Sequence, residues 1–167
     1  KGNFEYFFTR VLGYELADFH KDWLERVETT QRTVTICSRD HGKSVFFHSW
    51  CVFQLCFQEP PYEIIYISSN QKQTMVHMKD IDRMFDTVPA LRKFKPKTGW
   101  AVGRMELTNG NRIVERSVGS QIRGLHPDEI IIDVLEGPTA GSNNNEDSSV
   151  SNIKQTIKPN INTFAFI

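Results

Sequence analysis

Thr33-Val34-Thr35-Ile36-Cys37-Ser38-Arg39-Asp40-His41-Gly42-Lys43-Ser44 reads as a strand, a tight polar loop and the first turn of a helix. Its first four residues are all β-branched and suit a short buried strand. An aromatic-rich helical pattern (Val45, Phe46, Phe47, Trp50, Phe53) begins directly after Ser44. In that order these pieces can hold a nucleoside triphosphate by its phosphates. The amides of Ser38, Arg39, Asp40, His41 and Gly42 and the helix N-terminus face the anion, Lys43 reaches the β and γ oxygens, and the Ser44 hydroxyl joins a Mg²⁺ shell. Cys37 stands where the usual pattern has its first glycine. Gly-Lys-Ser is short, and its plain alternative is a polar loop in which Ser44 caps a helix.

Outward from this stretch, the chain alternates strand and helix. Ser44 to Phe57 is apolar nearly all round, as a buried helix is. Tyr62 to Ile67 is an apolar strand, and Gln71 to Phe85 returns to helical periodicity through Met75, Met78, Ile81, Met84 and Phe85. This rhythm predicts a mainly parallel sheet flanked by helices. Residues 104–108 and 111–116 flank Asn109-Gly110, a signal for a tight hairpin with positive φ, so antiparallel strands are expected beside the parallel ones. Glu129 to Asp133 is an apolar run delivering an acid at its C-terminal end, and Thr163 to Ile167 reads as a last strand.

Upstream, residues 1–30 read as helical, with Asp18 as an N-cap and Phe19, Trp23 and Val27 as a buried stripe. His20 is the polar residue best placed there to contact an adenine ring; its alternative is an ordinary partly buried histidine. Residues 31–136 form the expected phosphate-loop core. Residues 137–167 hold a Gly-, Ser- and Asn-rich loop, a short helix over 150–157 and the last strand.

Composition narrows the class. The 167 residues fit one domain, and the formal net charge of zero gives no global basic field. Residues 88–99 are the most basic stretch, through Arg92, Lys93, Lys95 and Lys97; they read as a solvated loop or as a phosphate-backbone contact to DNA. Three cysteines at loose spacing match neither a disulfide framework nor a zinc site. No apolar run is long enough for a membrane span.

A phosphate-loop enzyme needs a second strand to bring an acid to the metal, and Asp133 has that form. The ends of two parallel strands meet at the carboxyl edge of a sheet, where open α/β folds bind ligands. Hydrolysis also needs a group that orients or deprotonates water. Val134 follows Asp133, so Glu136 is the nearest carboxylate for that task. Arg39 and Arg123 are candidates for stabilising charge on the γ-phosphoryl oxygens, a role that contributes on the order of 10³–10⁵ in rate.

Together, Phe19-His20-Lys21-Asp22-Trp23, residues 38–44, Ile65-Tyr66-Ile67-Ser68-Ser69-Asn70 and residues 121–128 (Gln121 to Asp128) resemble the ATPase domain of tailed-bacteriophage terminase large subunits. The Ser-Arg-x-x-Gly-Lys-Ser form without a first glycine is the more specific part. The resemblance implies a P-loop NTPase fold of the additional-strand, RecA-like kind, and hydrolysis of ATP with Mg²⁺ to drive double-stranded DNA into a procapsid. It implies that Lys43 and Ser44 bind phosphate and Mg²⁺, that Asp133 is the second-strand acid and that Arg39 senses the γ-phosphate. Arg123 matches the arginine offered to a neighbouring subunit's ATP. His20 falls where many of these proteins carry an adenine-region glutamine. Implied partners are the portal and procapsid, a small terminase subunit and further copies of the chain in a ring, with a monomer expected in isolation. The implied place is the cytoplasm of an infected bacterium. The family's nuclease domain is not seen in this sequence, so DNA cleavage is not expected from it. A helicase-like ATPase and a non-hydrolysing nucleotide-binding assembly module are the alternatives, the latter because of Val134.

Overall fold

Two runs too uniformly apolar to be half-exposed, β2 (Glu63–Ser68) and β5 (Glu129–Asp133), form the middle of the sheet, and every residue in both is buried. Such runs belong to central parallel strands covered on both faces. The computed structural model describes residues 3–38, 40–117, 120, 126–133 and 161–166. With β1 (Arg32–Thr35), β3 (Arg104–Glu106), β4 (Arg112–Ser117) and β6 (Asn162–Phe166), the described strands make a six-stranded sheet in the order β1-β6-β5-β2-β4-β3. Every pairing is parallel except that of β3 with β4. The last described strand therefore lies between the strand that leads into Gly42-Lys43-Ser44 and the strand that ends in Asp133.

One sheet face, through Ile64, Tyr66, Ile113, Ile131 and Phe164, shares its core with the helices. The other gathers Ile65, Ile67, Ile130, Ile132 and Ile161, with Ala165 against them. α3 (Lys43–Phe57) runs through the first core, and every residue from Phe46 to Cys56 is buried, as its apolar circumference predicts. An aromatic cluster closes over it. Phe4 meets Phe46, Trp50 and Phe53 edge-on at centroid distances of 5.2 to 5.5 Å, a favoured arrangement for aromatic rings. Asn111 joins this layer to the sheet: its amide donates to the Leu55 and Gln58 carbonyls at 2.9 Å and accepts from the Tyr62 N–H at 2.8 Å.

Several expectations are corrected. Residues 1–30 are helical in two pieces rather than throughout: α1 (Phe4–Tyr6) passes into a π turn (Phe7–Val11), and α2 spans Asp18–Thr29. Ala17 is the N-cap of α2 and Asp18 already lies inside it. The His20 ring accepts the Ala17 N–H at 3.2 Å and does part of the work of a cap. The buried stripe is His20, Trp23 and Val27, whereas Phe19 is 38% exposed. Met75 is exposed too, and the buried face of α4 (Gln71–Thr87) runs through Thr74, His77, Met78, Ile81, Met84 and Phe85. Gly110 has φ +91°, as the Asn-Gly pair predicted, but Leu107 N–H bonds the Asn111 carbonyl, so the loop holds three residues rather than two. The hairpin's two strands pair antiparallel with each other, but β4 also pairs with β2 in parallel and so extends the parallel sheet.

Candidate nucleotide-binding site

After Thr35 the chain leaves β1 and turns back through two left-handed residues, Asp40 and Gly42, each with φ +68°. Gly42 is the N-cap of α3 and carries no side chain to bond the first-turn amides. A helix N-terminus in that state is suited to an anion. The alternative in which Ser44 caps the helix is not what forms, because Ser44 lies inside the first turn. Within the loop, Ser38 Oγ and His41 Nδ1 are 3.0 Å apart, and Asp40, His41 and Gly42 are exposed.

His20 supports this loop from below. Because its Nδ1 accepts the Ala17 N–H, its Nε2 carries the ring proton and donates to the His41 carbonyl at 3.0 Å. The ring stacks on Phe46 at 5.5 Å and is 7% exposed. Burial lowers its pKa and keeps it neutral, against the pull of the His41 carbonyl. Both ring nitrogens are thus committed to backbone groups of the fold, and the polar edge expected to face a base is spent on the loop.

Across the additional strand, the two residues that the sequence places far apart come together. Lys43 Nζ lies 3.3 Å from Asp133 Oδ1, with the Asp133 side chain 1% exposed and that of Lys43 14% exposed. Tyr66 OH donates to the second carboxylate oxygen at 3.3 Å, and His77 Nε2 lies 3.3 Å from the same oxygen. Behind His77, His48 Nε2 stands 2.9 Å from His77 Nδ1. The approach of Lys43 to Oδ1 is a close ionic contact and that of His77 Nε2 to Oδ2 a close polar one, neither aligned as a hydrogen bond. Ser68, the sheet partner of Asp133 on β2, keeps a buried hydroxyl with no hydrogen bond among the described residues. Sequence reading passed over His48 and His77, and quoted Tyr66 and Ser68 within residues 65–70 without giving either a place beside Asp133. A signal existed for His77, because it falls on the apolar stripe of α4, where a polar ring needs a partner.

Arg39, Arg123 and Glu136 lie outside the described residues. Asp128 and Glu129 lie at the opposite end of β5 from Asp133, as expected. Asp128 accepts the Glu63 N–H at 2.8 Å, and Glu129 is fully buried among Trp50, Gln54 and Tyr62. The basic stretch is partly spent on structure: Lys95 bridges Asp82 and Asp86 at 2.6 and 2.7 Å, and Arg92 donates to the Asp86 carbonyl. No described helix is long and apolar enough to cross a membrane.

A parallel sheet with one strand inserted between the strand leading into Gly42-Lys43-Ser44 and the strand ending in Asp133 defines the additional-strand P-loop class. Within that class the fold is that of phage large-terminase ATPase domains. It superposes on the HK97 bacteriophage large terminase with a TM-score of 0.69 at 16% identity, covering 92% of this chain. An arginine-to-alanine mutant of the Thermus phage P74-26 large terminase ATPase domain gives 0.55 at 18% identity over 95% of this chain. The chain spans 33% of the HK97 protein and 67% of the Thermus phage domain. No protein-family model and no curated protein matches it.

Proposed function

We propose that the chain is the ATP-hydrolysing part of a viral DNA-packaging motor. The observation that carries this reading is the 3.3 Å approach of Lys43 to Asp133 across β6, which sets a phosphate-loop lysine and a buried acid at one sheet edge. The fold shared with large terminases supports it. A triphosphate on the loop would meet the amides at the start of α3 and draw the Lys43 ammonium from the carboxylate to the β and γ oxygens. Asp133 Oδ1 is buried without a hydrogen bond, and with the Ser44 hydroxyl it would offer oxygen donors of the kind Mg²⁺ takes. Bound there, the metal would neutralise phosphate charge. His20 fixes the loop carbonyl at His41 and so positions the backbone that takes the phosphates. In the same reading Arg39 senses the γ-phosphate, Glu136 orients the attacking water, and Arg123 reaches the ATP of a neighbouring copy.

Double-stranded DNA is then the cargo. The portal of the procapsid, a small terminase subunit and a ring of like chains are the partners, in the cytoplasm of an infected bacterium. Val134 directly after Asp133 favours a second reading, a module that binds nucleotide without turning it over. Steady-state ATP turnover with added procapsid separates them. The motor reading predicts magnesium-dependent turnover that rises with procapsid and falls at least tenfold in Glu136→Ala; nucleotide binding with no turnover under any of these conditions leaves the module.

A further inference from the structure

Asp133 is held from two sides by groups that are not part of the phosphate loop. Tyr66 comes from β2 and His77 from α4, and His77 in turn meets His48 on α3, the helix that opens with Lys43 and Ser44. The contacts therefore close a circuit from the phosphate-loop helix through α4 back to the carboxylate. Neither histidine is more than 3% exposed. Two ring nitrogens 2.9 Å apart hold a single proton between them. If His48 Nε2–H donates it, His77 accepts on Nδ1 and carries its own proton on Nε2, facing Asp133 Oδ2. The reverse tautomer would set a nitrogen lone pair against a carboxylate oxygen at 3.3 Å in a buried site, an arrangement with a desolvation cost and no bond in return.

We infer that His77, with its tautomer set by His48, is a positioning residue that aims the Asp133 carboxylate at the metal–phosphate site. This rests on the nucleotide reading above. An outer partner packed against a metal-binding carboxylate orients it, and its loss costs about 10–100-fold in metal affinity.

Two measurements test the inference. In wild-type protein labelled with ¹⁵N-histidine, a long-range ¹H–¹⁵N correlation spectrum should show His77 protonated on Nε2 and bare on Nδ1; a His77 protonated on Nδ1 overturns the inference. Equilibrium binding of a fluorescent ADP, with and without Mg²⁺, should then show that His77→Leu loses about tenfold or more of the magnesium-dependent gain while metal-free affinity stays within about twofold. His77→Gln, whose side-chain amide can donate from nearly the same point, should restore most of that gain. A folded His77→Leu protein that keeps the full magnesium-dependent gain overturns it. Should His77→Leu not fold, the wild-type tautomer decides. Wild-type protein that binds no magnesium nucleotide at all would sink the proposed function, and the tautomer would still decide the geometry inferred for His77.

Discussion

Gly42 answers to a conformational demand rather than a steric one. Its φ of +68° lies in the left-handed region, while an added Cβ would meet His20 Nε2 at 3.4 Å, an ordinary contact. Gly42→Ala should therefore cost about 1–2 kcal/mol in denaturant unfolding, and more in nucleotide affinity if the loop shifts. His20→Phe separates two roles of that ring. It keeps the stacking on Phe46 and removes both backbone bonds, so a loss of about 1–3 kcal/mol in stability is expected, with weaker ADP binding. Unchanged affinity at reduced stability would limit His20 to the packing of α2. Sequence reading found His20 by its position before the phosphate strand, but not its task, because the bond to the His41 carbonyl joins residues 21 apart in sequence.

Among elements, β5 carries an acid at each end, and the two ends behave differently. Glu129 has its carboxylate fully buried; burial raises its pKa to about 7, although Tyr62, Trp50 and Gln54 donate to it and lower it in part. The folded pKa lies above the ordinary 4.5, so the folded state binds the proton more tightly than the unfolded chain does. The stabilisation is full below pH 4.5 and is lost as pH rises through about 7, with a total change of roughly 3 kcal/mol. Urea titrations from pH 4.5 to 8 should show that decline, and Glu129→Gln should flatten it. A wild-type profile already flat over the range would contradict the burial argument. Asn111 is a second test at this scale: Asn111→Ala leaves the Leu55 and Gln58 carbonyls and the Tyr62 N–H without their partner, and should cost roughly 2–4 kcal/mol. The buried strands and α3 were legible because continuous apolar runs admit one environment. The break between α1 and α2 was not, because aromatic residues at helical spacing also fit a π turn. The membership of β4 in the parallel sheet was hidden too, since the Asn-Gly turn signals only its neighbour β3.

For the whole molecule, the sheet order decides what the motifs can do. A lysine at position 43 and an aspartate at position 133 are informative only if β6 separates their strands and all of these strands run in parallel, and that arrangement is present. The sequence showed each strand and the ordering of motifs. It did not show the carboxylate's surroundings, since His48, Tyr66 and His77 come from separate elements and form no local pattern. If the chain works in a ring, Arg123→Ala should leave nucleotide affinity intact and cut turnover by about 10³-fold or more. In mixed rings with wild-type protein the loss should exceed the mutant fraction; turnover that falls only in proportion would place the arginine's action within one chain. The most direct test of the central claim is the affinity of purified protein for a fluorescent ATP analogue with Mg²⁺, compared among wild type, Lys43→Ala and Asp133→Asn. The account predicts a loss of about tenfold to 100-fold for Lys43→Ala and, for Asp133→Asn, loss of the magnesium-dependent part alone. Affinities equal to wild type in both variants would contradict it.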